Sequence, residues 1–123
     1  MTGKPFKTPG PDHPITITPH IGRVAIRAGG KLIAETTRAL TLSEASYPPV
    51  LYIPRGDADM AALTPSSHQT HRPYKGDASY FDLPTGEAGR NGVWSYEAPH
   101  PAVGEISQYL AFYPDKVDIS LQS

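Results

Sequence analysis

The sequence contains no cysteine, which excludes disulfide bonds, thiolate catalysis and a zinc site built on cysteine. It also has no apolar run long enough to span a membrane, and no apolar segment follows the two lysines near its start. The 11 Lys and Arg nearly balance the 12 Asp and Glu, and no basic block could follow a phosphate backbone. We therefore expect a soluble, cytoplasmic protein that binds neither nucleic acid nor membranes.

Proline and glycine are abundant in this chain. With 14 Pro and 11 Gly, they make up about a fifth of the 123 residues, a composition typical of short strands joined by turns. The length fits one domain. Four prolines within residues 1–14 exclude a helix or a central strand there, so we predict an extended arm over residues 1–14 and one β-rich domain over residues 15–123. In the arm, His13 is expected to be a surface imidazole.

Alternation of apolar and polar residues predicts strands in the first half of the chain. Gly29 and Gly30 lie between two such segments and indicate a tight hairpin, because glycine tolerates the positive φ of these turns. Residues 38–44 follow as a third strand, so the three segments are predicted to form a meander. The strand segments of this half cover residues 15–18, 23–27, 31–36, 38–44 and 50–53.

One helix is predicted in the second half, over residues 102–113. Pro101 suits its first turn, and Val103, Ile106 and Leu110 recur at helical spacing. A shorter helical turn is predicted to start at Asp57 as its cap. Together, these patterns predict a mostly β single domain, namely a curled antiparallel sheet or small open barrel of about seven or eight strands. A tent-like arrangement of two sheets is one form of it.

Polar, aromatic and cationic residues are densest between residues 68 and 82. Pro73 fixes its own φ, Gly76 permits a turn, and Lys75 is expected at the lip of that corner. Arg55 also ends a predicted strand, so we expect Arg55 and Lys75 to converge on one anionic group. Lys75 and His71 are the candidate catalytic groups. The alternative for Lys75 is a structural ion pair with Asp77 or Glu44.

Aromatic residues are numerous around this corner and suggest a pocket. The predicted ligand-binding residues are Arg55, Thr70, Tyr74, Lys75, Tyr80, Trp94 and Tyr96. Two classes of function remain open. One is a small-molecule binding protein or enzyme with an anionic, for example nucleotide-like, ligand; the other is a non-catalytic interaction module or homodimer that uses an aromatic surface. A concave cavity containing Lys75 would favour the first class. The sequence identifies no cofactor and does not decide whether the protein is catalytic.

Two patterns invite a metal site but do not support one. Asp57 and Asp59 could share a magnesium ion, but Asp57 fits a helix cap, and the Gly29-Gly30 pair fits a hairpin better than a phosphate loop. His68 and His71 have helical spacing, yet Pro73 makes a helix improbable there. We therefore predict no metal ligands.

Several motifs occur in an order that resembles a known family. They are His13-Pro-Ile15, Ala34-Glu-Thr36, Arg38-Ala-Leu40, Glu44, Tyr47-Pro-Pro-Val50, Tyr52-Ile-Pro-Arg55, Pro73-Tyr-Lys-Gly76, Tyr80, Trp94-Ser-Tyr96 and Ala111-Phe-Tyr-Pro-Asp115. Across nearly the whole chain they resemble a bacterial family of small proteins that is described as a domain of unknown function and is sometimes labelled as a nucleotidyltransferase domain. The resemblance implies a compact, mostly β domain. A cysteine is common in that family before Pro-Tyr-Lys-Gly, where this sequence has Arg72.

Overall fold

Short antiparallel strands dominate the computed structural model, which describes residues 8–122. The strands are β1 Ile15–Pro19, β2 Arg23–Ala28, β3 Lys31–Thr36, β4 Leu40–Glu44, β5 Val50–Tyr52, β6 Thr64–Arg72, β7 Gly76–Asp82, β8 Val93–Tyr96, β9 Ala111–Phe112 and β10 Asp118–Gln122. Four short 3-10 helices within the same range cover Arg55–Asp57, Met60–Ala62, Gly86–Gly89 and Pro101–Ile106. None of the described helices has the length and apolar character needed to cross a bilayer. Of the predicted arm, residues 1–7 lie outside the described part of the chain.

The strands form three sheets with the orders β1-β4-β5, β10-β2-β3 and β6-β7-β8-β9. Every pairing between neighbours is antiparallel, and the described strands do not close into a barrel. The prediction of a mostly β, open antiparallel domain with one helix in its C-terminal region is therefore confirmed. The described residues form ten strands rather than the seven or eight expected.

The four-stranded sheet is covered on both faces because its side chains alternate between two apolar clusters. Phe81, Val93 and Phe112 point into the cluster that also contains Val24 and Ile26 of the β10-β2-β3 sheet. Their chain neighbours point the other way, into a cluster shared with the β1-β4-β5 sheet; these neighbours are Tyr80, Trp94 and Ala111. The period-2 alternation of a strand therefore assigns each residue to one face. The second face holds the candidate site.

The Gly29-Gly30 hairpin is confirmed. Gly29 has a φ of 56° and Gly30 a φ of 85°, and they join β2 to β3 as antiparallel neighbours. Both values lie in the left-handed region that a type I′ turn requires and that residues with a β-carbon rarely adopt.

The predicted three-stranded meander is wrong. Strand β10 pairs with β2 on the side away from β3, and β4 leaves this sheet to pair with β1 and β5. The chain changes direction at Thr36, whose hydroxyl accepts a hydrogen bond from the Arg38 backbone N–H at 2.9 Å and donates one to Asp57 at 2.6 Å. A local side-chain bond of this kind competes with the sheet ladder and ends it.

The predicted helix over residues 102–113 is shorter than expected. It is a 3-10 helix over Pro101–Ile106, and Gln108, with a φ of 65°, turns the chain back. Leu110 then pairs with Ile53 through two backbone hydrogen bonds of 2.7 and 2.8 Å. After Ile106, the chain therefore pairs with another strand segment instead of continuing as a helix. The predicted cap at Asp57 is also wrong, because its carboxylate binds Thr36 and Arg38 instead of capping a helix.

Replacing both Gly29 and Gly30 with valine should lower the free energy of unfolding by about 2 to 4 kcal/mol, since each non-glycine residue costs about 1 to 2 kcal/mol in the left-handed region. Chemical denaturation measures the loss. Gly56→Val is the control, because Gly56 has no positive φ and open space around it. Equal stabilities of the double variant and the control would show that the turn places no demand on these positions.

Ile106 is fully buried in the second apolar cluster. We expect Ile106→Ala to lower the free energy of unfolding by about 2 to 5 kcal/mol, because the truncation leaves a cavity. Glu105→Ala, an exposed change in the same 3-10 helix, should shift it by no more than about 0.5 kcal/mol. A similar small shift for Ile106→Ala would contradict the packing of this helix on the sheet.

Candidate functional site

A concave cavity of about 440 Å³ lies between the β1-β4-β5 sheet and the second face of the four-stranded sheet. Its volume is within the range of small-molecule sites, which is about 300 to 1,000 Å³. Aromatic residues make up much of its wall. The lining residues are His13, Leu42, Glu44, Tyr47, Pro48, Val50, Tyr52, Arg72, Pro73, Tyr74, Lys75, Trp94, Tyr96 and Tyr113.

The β6–β7 hairpin delivers Tyr74 and Lys75 to this cavity. The Lys75 N–H donates to the Arg72 carbonyl at 3.0 Å, which closes a turn with Pro73 in its second position, and Gly76 follows with a φ of 113°. The loop therefore has three residues, and the glycine with positive φ follows it as the first residue of β7, opposite Arg72. The positive φ is what requires glycine here, because a Cβ at Gly76 would meet the Pro99 backbone at an ordinary contact distance of 3.4 Å.

The Glu44 carboxylate binds two partners inside the cavity wall. Lys75 Nζ donates to Glu44 Oε1 at 2.5 Å, and His13 Nε2 lies 2.7 Å from Glu44 Oε2. The side chains of Lys75 and Glu44 are only 15% and 11% exposed. Both carboxylate oxygens therefore have a partner largely shielded from water. This is the structural ion pair that the sequence left open as the alternative for Lys75.

The pKa of Glu44 is lowered. Burial alone would raise it, but the hydrogen bonds from Lys75 and His13, together with the charges of both partners, outweigh burial. The carboxylate therefore stays ionised at neutral pH and holds the Lys75 ammonium in place. A lysine base or nucleophile needs a site without such a carboxylate, so this arrangement supports Lys75 as a fixed cation and hydrogen-bond donor.

His13 forms part of the cavity wall rather than being the surface imidazole that was predicted. Its ring stacks on Tyr74 with a centroid distance of 3.7 Å and an interplanar angle of 7°, and it meets Tyr47 edge-on at 6.3 Å. The side chain is 21% exposed. The stack and the bond to Glu44 together fix the segment before β1 against the hairpin loop. A chain segment predicted to be an arm thus completes the site.

Trp94 and three tyrosines form the opposite wall. The Trp94 indole N–H donates to the Tyr52 hydroxyl at 3.3 Å, and its ring lies 4.6 Å from that of Tyr113 at an angle of 48°. Burial raises the pKa of Tyr52 and of Tyr96 well above the ordinary value. These phenols therefore remain neutral hydrogen-bond donors at physiological pH.

Four of the predicted ligand-binding residues line the cavity, namely Tyr74, Lys75, Trp94 and Tyr96. Arg55 does not, so its predicted convergence with Lys75 is wrong. Its guanidinium donates to Glu97 at 2.7 Å, to Ser95 at 2.9 Å and to the Gln108 carbonyl at 3.0 Å. Ser95 points away from Trp94 and Tyr96 because neighbours on a strand alternate, so Arg55 reaches the other face of the sheet.

The remaining predicted site residues lie outside the cavity wall. Thr70 and Tyr80 bond to each other through their hydroxyls at 3.0 Å, and Tyr80 is buried beneath the site. His71 is directly opposite Asp77 on β7, and its Nδ1 lies 2.7 Å from the Asp77 carboxylate. Within residues 8–122, no group of three or more His, Asp or Glu side chains is arranged to hold a metal ion.

Three lining residues with basic or acidic side chains were not predicted as site residues from the sequence, namely His13, Glu44 and Arg72. His13 and Glu44 occur among the motifs that carry the family resemblance, so their recurrence was a usable signal. Arg72 ends β6 immediately before the hairpin loop, and strand alternation places it on the same face as Thr70. That register could have been derived from the Pro-Tyr-Lys-Gly turn.

Lys75→Met should lower the free energy of unfolding at pH 7 by about 1 to 3 kcal/mol, because it leaves the Glu44 carboxylate without its main donor. The depressed pKa of Glu44 means that its contribution is present above its unfolded pKa, near 4.5, and is lost as the pH falls through the lower folded pKa. The loss on Lys75→Met should therefore shrink in acid.

The double variant Glu44→Gln/Lys75→Met provides the control, since it removes both charges. Denaturation of the two single variants and the double variant at pH 7 and in acid gives the coupling energy between the two side chains. A coupling energy near zero at pH 7 would contradict a stabilising pair.

A known protein family matches most of this chain. No curated protein matches the chain. Residues 16–123 match a family described as a domain of unknown function (DUF427), a range that includes every strand of the described fold except the first residue of β1. The chain therefore belongs to the DUF427 family, as the order of its motifs indicated.

Proposed function

We propose that this protein binds a small anionic molecule in the cavity between β4–β5 and the β6–β7 hairpin. The observation that carries the proposal is the cavity of about 440 Å³ that combines Lys75 and Arg72 with the aromatic rings of Tyr74, Trp94 and Tyr96. Two cations face one carboxylate among the lining residues, so the wall carries an excess of positive charge. An anion with an apolar or planar body matches both features.

The interaction-module alternative receives less support from the same aromatic residues. Tyr52, Tyr80 and Tyr96 are buried, and among residues 8–122 Tyr47 is the aromatic side chain that is largely exposed, at 62%. Tyr47 lies at the cavity itself. A flat aromatic patch for a protein partner would need several exposed rings next to one another. The surface at Lys75 is a concave cavity, which favours the binding of a small molecule over an interaction module.

Glu44 is held ionised between Lys75 and His13, and the same ion pair holds Lys75 as a fixed cation. The geometry fits charge recognition directly, because the ion pair fixes Lys75 in the cavity wall as a cation and hydrogen-bond donor. We therefore propose binding as the function of this cavity.

Trp94 is the single tryptophan of the chain and lines the cavity, so its indole N–H signal in an NMR spectrum reports on occupancy. The purified protein should show a co-purified small molecule by native mass spectrometry, or a saturable shift of this signal on titration with AMP, benzoate or inorganic phosphate. Val50→Trp, which fills the cavity, should weaken binding at least tenfold.

Ser120→Trp is the matched control, because Ser120 is exposed on β10, whose sheet supplies no lining residue. It should bind like the wild type. The proposal fails if no molecule co-purifies and none of the probes shifts the indole signal, or if Val50→Trp retains full affinity while remaining folded.

A further inference from the structure

The charges in the cavity wall are not equivalent. Lys75 is neutralised by Glu44, and Glu44 is the acidic residue among those that line the cavity. No carboxylate within residues 8–122 pairs with Arg72, although its side chain lines the same cavity. A guanidinium without a carboxylate partner has five N–H donors for a ligand. Arg72 is therefore the cation of the cavity wall whose charge no carboxylate of the described residues neutralises.

Tyr96 supplies a second unused donor. The residue is 2% exposed and lines the cavity, and its hydroxyl has no hydrogen-bond partner among the described residues. Among residues 8–122, the fully buried side-chain polar atom that lacks a hydrogen-bond partner is Thr85 Oγ1. Since the Tyr96 hydroxyl also lacks a partner, it is not fully buried. The Tyr96 hydroxyl therefore opens onto the cavity. Burial raises its pKa, so it is present as a neutral donor.

The sheet register brings Arg72 and Tyr96 to the same region. Thr70 on β6 is opposite Ala78 on β7, and Ala78 is opposite Tyr96 on β8, so the three share one face. Arg72 lies on this face two residues beyond Thr70. Ala78, with a single methyl group, leaves space between the outer strands. The charge of Arg72 also acts on the phenols of Tyr96 and Tyr113, consistent with their proximity.

We propose, resting on the proposed function, that Arg72 and the Tyr96 hydroxyl form the anion subsite of the cavity, and that its ligand is an aromatic compound with one carboxylate. One guanidinium and one phenol match the two oxygens and single charge of a carboxylate. A phosphate carries about −1.5 to −2 at neutral pH, and a polyphosphate more, which a single unopposed cation does not neutralise. The walls provided by Trp94, Tyr113 and the His13–Tyr74 stack suit a planar ring.

The test compares benzoate with benzamide, which has nearly the same shape without the charge, and with AMP and ATP. Affinities are measured from the shift of the Trp94 indole N–H signal on titration of the full chain. We expect benzoate to bind at least tenfold more tightly than benzamide, and more tightly than AMP or ATP. A preference for AMP or ATP would overturn the assignment of a carboxylate ligand.

Variants assign the subsite to its residues. Arg72→Met should weaken benzoate binding at least tenfold and abolish the preference over benzamide, whereas Arg72→Lys should retain part of both. Tyr96→Phe removes only the hydroxyl and should weaken benzoate binding about tenfold to a hundredfold, in the range of one hydrogen bond to a charged group. Arg27→Met, which removes an exposed arginine of β2 on a different sheet, is the control and should bind like the wild type.

The outcomes separate this inference from the proposed function. If Arg72→Met and Tyr96→Phe keep wild-type melting temperatures and wild-type benzoate affinity, the subsite is wrong, although the cavity still binds an anion. If no probe shifts the indole signal of the wild type and no molecule co-purifies, the proposed function fails and the subsite with it. Should Tyr96→Phe fail to fold, the benzoate-to-benzamide ratio of Arg72→Met and Arg72→Lys decides the question.

Discussion

The site depends on one largely buried carboxylate. Glu44 ends β4, yet it binds Lys75 from the β6–β7 hairpin and His13 from the segment before β1. These three segments are distant in sequence and belong to different structural elements. Burying an ionised carboxylate is unfavourable unless its oxygens are satisfied, so the arrangement is stable only when all three segments meet. The ion pair thereby joins the hairpin loop to β4 in the wall of the cavity, where the His100 N–H also donates to the Lys75 carbonyl at 2.9 Å.

The alternation of side chains along the four-stranded sheet separates core residues from residues that line the cavity. Val93 and Ser95 point to the first face, where one packs in the apolar core and the other contacts Arg55. Trp94 and Tyr96 point to the second face and line the cavity. A strand of four residues can therefore serve the core and the site at once, because its period is two. A shift of one residue in register would turn the cavity-lining residues toward the first apolar cluster and the core residues toward the cavity.

Local signals predicted local structure well, and pairings between distant segments poorly. The Gly29-Gly30 hairpin depends on conformational freedom that only glycine has, and that freedom is visible in the sequence. The Leu110–Ile53 pairing depends on contact between two segments that are distant in the sequence. The apolar spacing around Leu110 predicted a helix instead. The positions of Tyr74 and Lys75 in the cavity wall could be predicted because both residues belong to a local turn motif. Arg55 was misplaced because proximity to a strand end does not tell which face a side chain reaches.

The backbone pairing between Ile53 and Leu110 joins the two sheets that enclose the cavity, next to the lining residues Tyr52 and Tyr113. Both of its hydrogen bonds are made by main-chain atoms, so no change of side chain removes them directly. The connection between the sheets at this end thus does not depend on which side chains line the cavity. Substitutions of the rings and charges in the wall would therefore change the chemistry of the cavity and leave this main-chain connection between the two sheets in place.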